Sequence, residues 1–175
     1  MIFLALWVIA LALALTHVSI ARLWRHSLER ATIFLLYQMT VALGLVGFLA
    51  FAGHVLRPAE IAARIGWPTH PNFQFELGAA CLGFAVGASL APWIRNRHYW
   101  LGVALGPCVF IALAGINHLR DAIAGNLAPY NVGTAAPDLL IPATLAWLLY
   151  RVFRLTPANG NTKPRRLCDT TDHTA

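Results

Sequence analysis

Residues 2–21 read IFLALWVIALALALTHVSIA, a run without one charged side chain. A helix needs about 20 predominantly apolar residues to cross the hydrocarbon core of a bilayer, and this run supplies them. Arg22, Arg25 and Arg30 follow directly, so the run ends in a basic loop. No basic residue precedes Ile2, whereas a cleaved signal peptide opens on a basic region. The first segment therefore reads as a retained helix.

Four more apolar segments follow: Ala31–Leu56, Phe73–Trp93, Tyr99–Asn117 and Asp138–Phe153. The last reaches spanning length only if its helix starts near Ala135, and it contains Pro142. Helices are expected at about 2–21, 31–56, 73–93, 99–117 and 136–153. Runs of this length show no period-two alternation, and an open sheet edge cannot sit in lipid. Composition agrees: of 175 residues, 58% are hydrophobic and 11% charged, against about 25% charged in a soluble domain. The fold class expected is an all-α integral membrane bundle over 1–155. The polar, basic tail over 156–175 is expected to be disordered and cytoplasmic.

Lys and Arg placement predicts orientation, because cytoplasmic loops carry the excess. Arg22, Arg25, Arg30, Arg95, Arg97, Arg151, Arg154, Lys163, Arg165 and Arg166 fall on one side of a five-helix chain; Arg57, Arg64 and Arg120 fall on the other. This ten-to-three division puts the N-terminus outside and the C-terminus in the cytoplasm. Trp24, Trp67, Trp93 and Trp100 stand near span ends, as interfacial aromatics do. The net charge of +6 is spread between apolar runs and forms no single patch. That favours the lipid bilayer as partner and argues against nucleic acid. A multi-pass protein of a bacterial-type inner membrane is the expected localisation.

Arg57–Gly66 reads as a short interfacial helix, ended by Gly66 and Pro68. Ala122–Pro137, rich in Gly, Asn and Pro, reads as an ordered loop or re-entrant turn. Ala79, Gly83, Gly87 and Ala91 recur every four positions in the third segment, and Gly102 and Gly106 in the fourth. Small residues let membrane helices approach closely, so the third and fourth helices are expected to form a tight antiparallel hairpin. A second copy or another membrane protein could use any glycine face left over. Cys81 and Cys108 come to similar depths and could be neighbours, although buried free thiols commonly act as small apolar groups. No CxxC pair or disulfide framework is present.

The polar residues inside or beside these segments gather at the outer end: His54, Asn72, Gln74, Glu76, Asn117, His118, Arg120, Asp121, Asn126, Asn131 and Asp138. Ionisable residues in membrane segments are costly, which makes them candidates for function. Helical phase puts Glu76 on the face of Gly83 and Gly87, and Asn117 on the glycine face of the fourth helix, so the two could meet. A structural reading competes. Glu76 and Asp138 would each lie in the first turn of a helix, where a carboxylate caps free N–H groups, with Arg57 or Arg120 as ion-pair partner.

Three functional readings follow. His54, His118, Glu76 and Asp138 are ligand types for iron, copper or zinc, though without a diagnostic spacing. His54 with His118, and His17 with His98, could serve as axial pairs for haem. A polar cavity open to the outer face could take a small molecule such as a quinone, a lipid headgroup or a proton-coupled solute. The third reading is a non-catalytic accessory or assembly subunit. No cofactor is assigned, and His17 reads as a histidine satisfied between helices.

The segments Pro71-Asn72-Phe73-Gln74-Phe75-Glu76-Leu77-Gly78 and His118 through Gly125-Asn126-Leu127-Ala128-Pro129-Tyr130-Asn131-Val132-Gly133, with Asp138 and Pro142, carry a resemblance. Over about residues 71–153 the chain resembles a family of small bacterial inner-membrane proteins known only as a domain of unknown function. The resemblance implies a few-helix membrane fold and does not supply an activity. It marks Glu76, His118, Asn126, Asn131 and Asp138 as the motif positions. The candidate ligand-binding residues are thus Glu76, Asn117, His118, Asn126, Asn131 and Asp138, with His54 and His118 as candidate metal ligands.

Overall fold

The computed structural model describes residues 2–157. They form six helices: α1 Ile2–Ile20, α2 Ser27–Leu56, α3 Pro58–Ile65, α4 Pro71–Ser89, α5 Arg97–Ile123 and α6 Pro129–Leu155. No strand occurs among the described residues. Helices α1, α2, α5 and α6 are long and apolar enough to cross a membrane, which is the mark of a membrane protein. Helix α4 has 19 residues, but its first turns carry Asn72, Gln74 and Glu76. Val8, Leu13, Leu105, Leu113 and Trp147 are exposed on the outside. In water such a belt would drive aggregation; against acyl chains it is solvated. The tail beyond Pro157, expected to be disordered, lies outside the described residues.

The helix ends follow from local chemistry. Pro58, Pro71 and Pro129 occupy first-turn positions, where a missing N–H costs nothing. Asn96 caps α5: its Oδ1 accepts from the His98 and Tyr99 amides at 2.8 and 3.3 Å. Gly66 closes α3 at φ +81°, a left-handed conformation that glycine adopts without strain. The short helix expected before Gly66 is therefore present.

Other expected bounds are corrected. Helix α5 runs to Ile123, past Asn117. Helix α6 starts at Pro129, so the loop expected over Ala122–Pro137 shrinks to residues 124–128. Pro137 and Pro142 sit inside α6, both buried. Proline is tolerated in a membrane helix when the freed carbonyls face protein rather than lipid.

Inside α2, Gln38–Leu45 is a π-helical stretch. Such wide turns are uncommon and shift which residues face a neighbour. Thr40 Oγ1 donates to the Leu36 carbonyl at 2.8 Å within it. Gly44, within the stretch, and Gly47, just beyond it, meet α4 closely. A Cβ on Gly47 would lie 2.9 Å from Ala85 Cβ and 3.0 Å from the Cys81 carbonyl, and one on Gly44 would lie 2.7 Å from Ser89 Oγ. Further along, Gly78 of α4 lies against Val55 and His54 of α2. Residue numbers rise along α2 as they fall along α4, so the pair is antiparallel. The tight small-residue seam is therefore α2–α4. The α4–α5 seam expected from the sequence forms only at one end: a Cβ on Gly87 would lie 3.5 Å from Val103, whereas Gly83, Gly102 and Gly106 have nothing within 4 Å of a would-be Cβ. Cys81 and Cys108 are free thiols, not joined to each other.

Helix α5 packs instead on α6, where a Cβ on Gly115 would fall 3.0 Å from Asp138 Cβ. Helix α1 reaches α6 through Trp7 Nε1, which donates to Thr144 Oγ1 at 3.1 Å. Leu35, Met39, Leu43, Ile141 and Leu145 form the core between α2 and α6. With α4 and α5 both held elsewhere, a gap remains between them. It is closed at one end, where the Tyr99 hydroxyl donates to the Gly87 carbonyl at 2.8 Å, and bridged further along by the Phe84 and Phe110 rings, 5.6 Å apart.

Candidate functional site

The gap is the mouth of a cavity of about 540 Å³, bounded by α2, α4, α5 and α6 and roofed by α3. Most of its lining is apolar: Leu43, Val46, Ala50, Leu77, Ala80, Phe84, Phe110 and Ile111 among others. Its polar side chains are His54, Glu76, His118, Tyr130, Thr134 and Asp138. Phe73, Glu76, Ala80 and Leu113 line it and are exposed, so it opens between α4 and α5.

His118 organises the polar end. It is buried, and the Trp67 indole stacks on it with centroids 5.4 Å apart and planes 12° apart. Trp67 is itself oriented by donating to Asp121 Oδ2 at 2.6 Å. Asn131, fully buried, donates through Nδ2 to the His118 carbonyl at 3.2 Å and the Asn126 carbonyl at 2.8 Å. Two carbonyl acceptors fix that amide, leaving Oδ1 to face His118 Nδ1 at 2.8 Å. An amide oxygen only accepts, so Nδ1 carries the imidazole hydrogen. The lone pair of a neutral ring then sits on Nε2, which looks toward Asp138 Oδ2 at 3.9 Å. That separation is too long for a hydrogen bond.

The roof is tied down on the α6 side. Asn126 Nδ2 donates to the Ile65 carbonyl at 2.9 Å, and Arg64 Nη1 donates to the Tyr130 hydroxyl at 2.6 Å. Arg64 also pairs with Glu60 at 2.5 Å. The packing of Gly66 on Asn126 is so close that a Cβ would lie 2.5 Å from Asn126 Oδ1.

The six ligand-binding candidates divide accordingly. Glu76, His118 and Asp138 line the cavity. Asn131 and Asn126 stand behind it and hold His118 and the roof. Asn117 is exposed on α5 and is not part of the lining; the meeting of Asn117 with Glu76 does not occur. Neither acid caps a helix. Asp138 lies nine residues into α6 and Glu76 in the second turn of α4. Arg57 pairs with Glu60 at 3.6 Å rather than with either. By sequence alone Trp67 reads as an interfacial aromatic, and Tyr130 and Thr134 fall in the expected loop. The signal for all three was their closeness to Gly66 and Pro129, which set where α3 ends and α6 begins.

Of the candidate metal ligands, His54 and His118 both line the cavity, but His54 Nδ1 is hydrogen-bonded to Gln74 Oε1. No group of three or more His, Cys, Asp or Glu side chains among the described residues is placed to hold a metal ion. At the other end of the bundle, His17 Nδ1 lies 3.4 Å from the Tyr37 hydroxyl and His98 meets the edge of Phe153.

A family model described as a family of unknown function, DUF6790, matches residues 1–158. The chain therefore belongs to that family, and its membership takes in the N-terminal helices as well as residues 71–153. No curated protein and no solved structure matches the chain.

Proposed function

We propose that this protein is a membrane-embedded binding protein for a small amphipathic molecule. The observation that carries this reading is the cavity. Its volume of about 540 Å³ is within the roughly 300–1,000 Å³ of small-molecule sites. It is apolar along its length and polar at one end, which suits a ligand with an apolar body and a polar head. The mouth between α4 and α5 would face acyl chains, so such a ligand would arrive by partition into the bilayer.

In this reading five helices cross the membrane and α3 lies at the outer interface. The N-terminus is outside, the C-terminal end is cytoplasmic, and the bilayer is a bacterial inner membrane. The Lys and Arg asymmetry supports that orientation. Phe3 also lines the cavity together with Ile65 and Tyr130, so the start of α1 lies at the roofed end.

Native mass spectrometry of the full chain, released from mild detergent, tests the binding reading. A stoichiometric small-molecule adduct is expected. Ala114→Trp, which fills the cavity from α5, should remove the adduct without lowering folded yield. An adduct that persists in the filled variant would place the ligand elsewhere.

A second reading, an assembly subunit, has one observation in its favour. Gly102 and Gly106 lie four apart on α5, exposed and with open space around them, as at helix–helix contacts in membranes. Gly106→Ile should abolish any self-association seen by cross-linking in native membranes; unchanged cross-linking would remove that surface.

A further inference from the structure

We infer that the polar end of the cavity binds a protonated amine, the cationic head of the amphipathic ligand, bridged between His118 Nε2 and Asp138 Oδ2. The inference rests on the cavity being a binding site and names the chemistry of what it takes.

Three observations converge. The first is charge. Glu76 and Asp138 are the formally charged side chains in the lining, and no Lys or Arg is among the lining residues. In a low-dielectric cavity that imbalance attracts a cation and repels an anion. The second is an acceptor without a donor. His118 is only 7% exposed, and its ring is oriented by Trp67 and Asn131 so that Nε2 presents a lone pair into the cavity. The group it faces, 3.9 Å away, is the Asp138 carboxyl, an acceptor in its ionised form. Both side chains line the cavity, and neither atom has a hydrogen-bond partner among the described residues. A donor with two hydrogens would satisfy both at once.

The third is distance. A nitrogen placed about 2.9 Å from each acceptor, an ordinary hydrogen-bond length, closes a triangle on the 3.9 Å base. An ammonium group has hydrogens for both corners. A hydroxyl has one, and a quaternary ammonium none. A metal ion would find His118 and Asp138 there, with no third His, Cys, Asp or Glu grouped with them among the described residues. Trp67, Phe73 and Tyr130 also line the cavity, and aromatic faces favour a cation over a neutral head.

The test is a head-group series on one apolar chain: octylamine, octyltrimethylammonium, octanol and octanoate. Each is titrated into the detergent-solubilised full chain, followed by tryptophan fluorescence and thermal unfolding. The same titration on Ala114→Trp protein subtracts partition into detergent. Octylamine should bind about tenfold more tightly than octanol or octyltrimethylammonium, the worth of one charge-assisted hydrogen bond, and octanoate should bind most weakly. Asp138→Asn should bring octylamine down to octanol. Should that variant fold poorly, Glu76→Gln serves. Glu76 lies at the exposed mouth with no ion pair to a described residue, and its neutralisation should weaken octylamine about threefold and leave octanol unchanged. Octanol or octanoate binding as tightly as octylamine would overturn the amine inference while leaving the cavity as a binding site. Equal binding of octyltrimethylammonium would overturn the bridged geometry. If none of the four binds, the binding reading itself fails.

Discussion

Asn131 and Asn117 lie one on each side of the same junction, and their chemistry in isolation is identical. Asn131 is fully buried and satisfies three groups: the His118 ring and the carbonyls of His118 and Asn126. Asn117 is exposed. Asn131→Ala should therefore cost about 2–4 kcal/mol, since each buried polar partner left unsatisfied costs roughly 1–3 kcal/mol. Asn117→Ala should stay within about 0.5 kcal/mol. Thermal unfolding in detergent separates the two; equal losses would mean that the buried network does not hold the site. Sequence could name both asparagines but not rank them. Helical phase carried from Gly106 puts Asn117 on the inward face only if the glycines are the contact face. The structure shows α5 presenting Gly106 outward and Gly115 inward. With that face reversed, His118 turns in and Asn117 turns out.

At the scale of the element, four of the five long helices could be placed from apolar runs alone, because lipid leaves the backbone so few options. The last was misplaced at its start. Composition cannot tell Pro at a helix N-terminus from Pro in a loop, so Pro129 was read with its Gly and Asn neighbours. The consequence was chemical, since Asp138 then looked like a capping residue and not a carboxylate about 13 Å along a helix. Pairing of helices was harder still. Gly44 and Gly47 drew no attention beside the regular small-residue stripe of α4, yet they make the close contact, where the π-helical stretch of α2 has reset its face. Gly47→Leu should lower stability by about 1–3 kcal/mol or more, the usual cost of overpacking, because the obstacle includes the Cys81 carbonyl. Gly83→Leu, in the more conspicuous position, should be close to neutral, since nothing lies within 4 Å. Denaturation midpoints of the two variants decide it; the reverse order would restore the α4 stripe as the seam.

For the whole molecule, the decisive element is α4. Judged by apolarity it is not a span, for Asn72, Gln74 and Glu76 open it. Its contacts nevertheless hold it within the bundle. Gln74 bonds His54, Gly78 meets Val55, Ala85 meets Gly47 and Ser89 meets Gly44, a ladder that keeps α4 beside α2 for about 22 Å at 1.5 Å per residue. Of its polar opening, Gln74 is buried against α2, and Glu76, exposed at the mouth, lines the cavity. A helix that lines a polar cavity need not meet the hydropathy of one that faces acyl chains on all sides. In the five-span arrangement, reporter fusions after Arg64 and after Arg95 sit at opposite ends of α4 and should report opposite sides of the membrane. A fusion after Leu127 should match the one after Arg64. If the Arg64 and Arg95 fusions report the same side, α4 does not cross. The cavity would then lie at the membrane surface, and a ligand would reach it from water rather than from lipid.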